Sequence, residues 1–149
     1  TAWLYSYYGK NFVKTMLKLA ENHEEITVVS DQFGSPTSAV ELAKMIHFLE
    51  PTENYGTYHA TCEGQCSWAD FAVEIFKQAG KNTKVKYITT EEYNSPAKRP
   101  AYSILDNYML RIAAGDKFKM ADWKEALTEY FKSGVLEQLR KRSFVWNSR

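Results

Sequence analysis

Ile26-Thr27-Val28-Val29-Ser30-Asp31-Gln32-Phe33-Gly34-Ser35-Pro36-Thr37 is the segment that decides the fold class. A short β-branched run ends in a loop of turn-forming residues, and an apolar pattern at helical spacing starts directly after it. Val40, Leu42, Ala43, Ile46 and Leu49 mark the expected buried side of that helix, and Pro51 lies just past its end. Ser35 or Thr37 supplies the expected N-cap, with Pro36 setting the backbone at the entry.

The same alternation runs outward in both directions. Upstream, Thr1-Ala2-Trp3-Leu4-Tyr5 reads as a strand buried on both faces, and Asn11 to Glu21 reads as an amphipathic helix. A domain seldom starts inside such a strand, so the chain is expected to be the later part of a longer protein; a short native edge strand is the other reading of the same residues. Downstream, Tyr55 to Cys62 alternates like a strand, and Ser67 caps a helix that carries Trp68, Phe71, Ala72, Ile75 and Phe76 and closes at Gly80. Val85 to Ile88 is a further strand, followed by a short turn at Thr89–Tyr93 and a loop from Asn94 to Pro100. Asp106 to Ala114 is a short helix stopped by Gly115. Asp122 to Phe131 is an amphipathic helix built on Trp123, Ala126, Leu127 and Tyr130. Strands alternating with helices define an α/β chain. Residues 132–149 form an unassigned tail, in which Leu136 to Arg142 extends the helical pattern weakly and ends in the basic run Arg140-Lys141-Arg142. That run suits a helix C-terminus in water, being shorter than a usual basic patch; a contact with anionic lipid or nucleic acid is its other reading.

At 149 residues the length is that of one domain. Nineteen basic and eighteen acidic residues leave a net charge of +1, so no broad field draws nucleic acid or an anionic membrane. No apolar run reaches the ~18–20 residues of a membrane span. Two cysteines do not make a disulfide framework, and a reducing, cytoplasmic location is expected.

Several catalytic signatures are missing from these residues. No two of the seven glycines are separated by a single residue, so there is no G-x-G-x-x-G turn. No tyrosine is followed four positions later by lysine, so a Tyr-x-x-x-Lys pair is missing too. G-x-S-x-G and H-E-x-x-H do not occur either.

Four places remain as candidates. His59, Cys62 and Cys66 have metal-capable side chains, but structural zinc takes four ligands, so reduced thiols and no metal are expected. The Asp31–Thr37 loop brings a carboxylate, an amide and hydroxyls to a strand end, where open α/β folds bind ligands. A turn that serves only the helix terminus explains the same residues. Arg99, on the stiff Pro96–Pro100 loop, is able to fork onto a phosphate, or to form a surface ion pair. Trp3 and Tyr5 share one side of a two-residue repeat, and either a sugar-stacking or a core role fits them.

Taken in order, Thr1–Tyr5, Asn11–Met16, Asp31–Thr37, Tyr55–Ala60, Cys66–Ala72, Pro96–Pro100 with Ser103, Leu105 and Asn107, and Asp122–Leu127 resemble the C-terminal half of the dTDP-4-dehydrorhamnose reductases. These are extended short-chain dehydrogenase/reductases. The resemblance implies a Rossmann-like sheet followed by a small substrate-binding domain, with residues 1–131 forming the substrate-binding half. It implies an oxidoreductase that uses NADPH or NADH to reduce the C4 ketone of dTDP-4-dehydro-6-deoxy-L-mannose to dTDP-L-rhamnose. The glycine loop and the Tyr-x-x-x-Lys pair of the family lie before the matching part. The chain is therefore expected to be inactive alone, and its expected partners are an N-terminal nucleotide-binding half and a dTDP-sugar. A homodimer is compatible with this. Trp3, Gln32, Thr37 and Arg99 are the implied substrate-binding residues, with Asp31 and Gln32 near the nicotinamide. Two departures stand out: Ser6-Tyr7-Tyr8 intervenes before Gly9, and the tail after Gly134 matches nothing in the family. A non-catalytic nucleotide-sugar-binding or regulatory module on the same scaffold is the alternative.

Overall fold

The computed structural model describes residues 1–133. The basic tail therefore lies outside the described residues, as do nearly all of residues 132–149. Glu25–Val29 (β2) and Lys84–Ile88 (β6) carry the main strand signal, and they pair in parallel from Glu25 opposite Lys84 to Val29 opposite Ile88. In β2 the side chains of Ile26, Val28 and Val29 are buried while Glu25 and Thr27 face out. The helix Trp68–Gln78 (α3) packs on this pair and on the helix Phe12–Leu19 (α1). Both helices show the expected stripe, with Val13, Met16 and Leu17 buried in α1 and Phe71, Ala72, Ile75 and Phe76 in α3.

Local signals explain the helix ends. In α1 the Asn11 side chain accepts from the Lys14 N–H. In α3, Ser67 and Asp70 form a reciprocal capping box, which satisfies two otherwise unpaired N–H groups. Gly80, just past its end, takes φ +63, a conformation that suits glycine. Thr90–Tyr93 (α4) is the expected short turn, and Gly115 ends Tyr108–Ala114 (α5) as expected. Trp123–Lys132 (α6) buries Trp123, Ala126, Leu127 and Tyr130, the four residues its periodicity marks.

Four expectations are corrected. The first strand is only Leu4–Tyr5 (β1), because Trp3 takes φ +49 and breaks the extended backbone. Among the described residues β1 pairs only with Thr37–Ser38 (β4). The helix Ala39–Leu49 (α2) is capped by Ser38, whose oxygen accepts from the Val40 N–H at 3.3 Å. Neither Ser35 nor Thr37 caps it, because β4 keeps the backbone extended through Ser38. The buried side of α2 is also rotated: Glu41 and Met45 face inward, while Val40, Ala43 and Ile46 are exposed. This helix is apolar on more than one side, so its periodicity does not select a face. Finally, Tyr55–Cys62 is no strand. Gly56 has φ +138 and Tyr55 is exposed, so the first part leaves the body of the chain. In the last part Asn107 takes the place of a neighbouring strand: its amide oxygen accepts from the Thr61 N–H at 3.0 Å and its nitrogen donates to the Thr61 carbonyl at 2.8 Å.

Candidate functional site

Phe33–Gly34 (β3) joins the separate candidates. It pairs antiparallel with Cys66–Ser67 (β5), setting Phe33 opposite Ser67 and Gly34 opposite Cys66. On its other side the Phe33 N–H donates to the Ala101 carbonyl at 2.8 Å, and its carbonyl accepts from the Ser103 N–H at 2.9 Å. The loop carrying Arg99 is thus stitched to the loop carrying Gln32. Arg99 is exposed, and among the described residues it forms no ion pair.

Trp3 is brought to the same place. Its carbonyl accepts from the Thr37 N–H at 3.1 Å, and its indole nitrogen donates to the Ser103 hydroxyl at 3.2 Å. The indole lies on Trp68, with ring centroids 3.5 Å apart and planes within 9°. Gly34 closes on the ring as well: a Cβ there would stand 2.2 Å from Trp3 Cε2 and 2.6 Å from both Nε1 and Cζ2. Those distances put the missing Cβ above the ring rather than beside its edge. The volume over the other face already holds Trp68, so the indole is sandwiched. A pyranose stacked on an open Trp3 face, one of the two roles open to it from sequence, is excluded over the part that Gly34 covers. The φ of +49 at Trp3 is a conformation that costs on the order of 1–3 kcal/mol for such a residue, and these contacts hold it.

The polar residues of the loop are engaged with the protein. Gln32 is buried, and its amide donates to the Thr90 hydroxyl at 3.0 Å. The Asp31 carboxylate also accepts from Thr90, whose hydroxyl and then N–H hold the carboxyl below its ordinary value. Thr37 is fully enclosed; its hydroxyl donates to the Ser35 carbonyl at 3.1 Å and accepts from the Cys62 N–H at 3.3 Å. Thr37 therefore shapes the loop from beneath. Tyr102 is exposed and its hydroxyl donates to the Gln65 amide oxygen at 3.4 Å, placing a further aromatic ring next to Ser103.

His59 is exposed while Cys62 and Cys66 are buried, and among the described residues no group of three His, Cys, Asp or Glu side chains is placed to hold a metal ion. Burial pushes the two thiols up to about 11 and about 12.

A dinucleotide needs a glycine-rich strand-to-helix turn whose N–H groups face its phosphates. After β2 the chain reads Ser30-Asp31-Gln32, without glycine and with a carboxylate tied to Thr90. These residues do not fit the phosphates of a nicotinamide cofactor.

Sequence reasoning missed Gly34, Trp68 and Ser103 as partners of Trp3. All three belong to the stretches that carry the resemblance, but no spacing in the chain links such distant residues to Trp3.

Residues 1–135 match the family described as the RmlD substrate binding domain. The chain is 43% identical over 134 residues to the spore coat polysaccharide biosynthesis protein SpsK of Bacillus subtilis, with 89% of this chain and 45% of that protein covered. A crystal structure of a dTDP-4-dehydrorhamnose reductase from Clostridium acetobutylicum superimposes with a TM-score of 0.83 at 53% identity, over 88% of this chain and 46% of that one. One from Bacillus anthracis, in complex with NADP, superimposes with a TM-score of 0.82 at 46% identity, over 88% of this chain and 45% of that one. The chain spans about half the length of these relatives. No helix among the described residues is long and apolar enough to cross a membrane.

Proposed function

The chain belongs to the RmlD substrate binding domain family, and on that premise we propose that residues 1–131 form the substrate-binding half of a dTDP-4-dehydrorhamnose reductase. The fold is that of the C-terminal part of a Rossmann-like extended short-chain dehydrogenase/reductase. The substrate is dTDP-4-dehydro-6-deoxy-L-mannose, whose C4 ketone is reduced to give dTDP-L-rhamnose in the cytoplasm. NADPH or NADH supplies the reducing equivalents from a nucleotide-binding half outside these residues, which also carries the proton donor. Asp31 and Gln32 stand where that half brings the nicotinamide.

One observation carries the reading: a single short strand, β3, holds the Trp3 ring, the Gln32 loop and the Arg99 loop together. Trp3 borders the sugar, Arg99 supplies a cation for the diphosphate, and Gln32 and Thr37 keep the intervening loop in place through Thr90 and Cys62. The side chains hold and orient the substrate; none of them is assigned a proton transfer.

The test has two arms. Calorimetric titration of the chain with dTDP-L-rhamnose is expected to show binding, weakened about tenfold in Arg99→Ala, as befits one lost charged hydrogen bond of about 1.5 kcal/mol. NADPH oxidation with the keto-sugar nucleotide is expected to show no turnover by the chain alone. Turnover near the rate of a complete reductase, or no binding of the sugar nucleotide, refutes the reading.

A further inference from the structure

Trp3 has more constraints than a core tryptophan needs. Its backbone is in the left-handed region at φ +49. One face lies on Trp68 at 3.5 Å, and the other approaches Gly34 so closely that a Cβ would overlap it. Its indole N–H donates to the Ser103 hydroxyl, which in turn donates to the Phe33 carbonyl at 3.1 Å. Trp68 is itself backed by Phe12, with centroids 4.6 Å apart. Despite this, Trp3 is only half-buried. A ring held on both faces and at its polar atom, in a residue that stays partly accessible, presents a fixed orientation to whatever fills the space beside it.

We infer that Gly34, Trp68 and Ser103 are positioning residues for the Trp3 indole, and that recognition of the deoxysugar beside Trp3 depends on the orientation these three residues impose on it. The inference rests on the function proposed above. A preset ring loses no rotamer freedom on binding, so affinity depends on the clamp although only Trp3 meets the sugar. Gly34 matters because the close approach admits no side chain; Ser103 fixes the rotation of the indole within its plane.

The experiment combines circular dichroism with calorimetry on the full chain. Two indoles stacked at 3.5 Å couple as excitons, so the wild-type chain is expected to show a couplet in the indole bands that Trp3→Phe and Trp68→Phe each abolish. Trp68→Phe keeps a flat aromatic backing and is expected to bind dTDP-L-rhamnose within about threefold of wild type, whereas Trp68→Ala binds about tenfold more weakly while still melting cooperatively. Gly34→Ala is expected to alter the couplet and weaken binding about as much, but to add less than about twofold when Trp3 is already Phe. The Trp68 pair decides the matter if Gly34→Ala does not fold. Equal binding by wild type and Trp68→Ala, or a Gly34→Ala penalty independent of Trp3, overturns the inference and leaves the proposed function standing. A wild-type chain that shows the couplet but binds no dTDP-L-rhamnose overturns the proposed function, and this inference with it.

Discussion

The Asp31 carboxylate accepts the hydroxyl of Thr90 at 2.6 Å and its N–H at 2.9 Å, tying the end of β2 to the start of α4 across 59 positions of sequence. Gln32 donates to the same hydroxyl. One threonine thus holds the loop that runs from β2 into β3.

Asp31→Asn is expected to loosen this junction and lower stability by at most about 1 kcal/mol, since the carboxylate stands in water and is screened. The wild-type contribution has a defined sign. The folded carboxyl ionises below its ordinary value of 3.8, so the contribution is present above that value and is lost as pH falls through the depressed one. Urea midpoints of wild type and Asp31→Asn are expected to differ at neutral pH and converge in acid.

Asn107 makes the more consequential contact. It is buried, serves both backbone groups of Thr61, and donates to the Glu63 carboxylate at 3.1 Å. Asn107→Ala leaves buried groups unpaired and is expected to cost about 2–4 kcal/mol. Asn107→Asp sets a carboxylate against the Thr61 carbonyl and Glu63, so its deficit is expected to grow as pH rises through the carboxylate range. Denaturant melts at two pH values check both variants.

Cys62 and Cys66 predict an alkaline limb. Burial first of all raises both thiols from an ordinary 9.0, to about 11 and about 12. In the unfolded chain they ionise near 9.0, while in the folded chain they stay protonated. The contribution is therefore full below pH 9.0 and is lost as pH rises from there through the folded values. Urea midpoints are expected to fall over that window, and less steeply in a Cys62→Ala/Cys66→Ala variant. Maleimide labelling of the wild type near neutral pH is expected to follow unfolding.

Leu127 is fully buried on α6 beside Trp123 and Tyr130. Leu127→Ala is expected to destabilise the chain by about 2–5 kcal/mol through the cavity it leaves. Because α6 packs on β4, which follows the Asp31–Thr37 loop, sugar-nucleotide affinity is expected to fall together with the thermal midpoint.

The amino-acid sequence by itself determined the elements whose causes are local. The α1, α3 and α6 stripes, the Ser67 cap, the Gly80 and Gly115 stops and the strand signals at Ile26–Val29 and Val85–Ile88 are all legible in residues a few positions apart. Tertiary structure alone decided which face of α2 turns inward, why Tyr55–Cys62 forms no ladder, and how Trp3 is held. The last two depend on groups far apart in the chain: the Trp3 indole meets Ser103 across 100 positions, and Thr61 meets Asn107 across 46. Helical and strand periodicities carry no information at such separations, because hydrogen bonds and ring contacts between distant segments exist only once the chain has closed on itself.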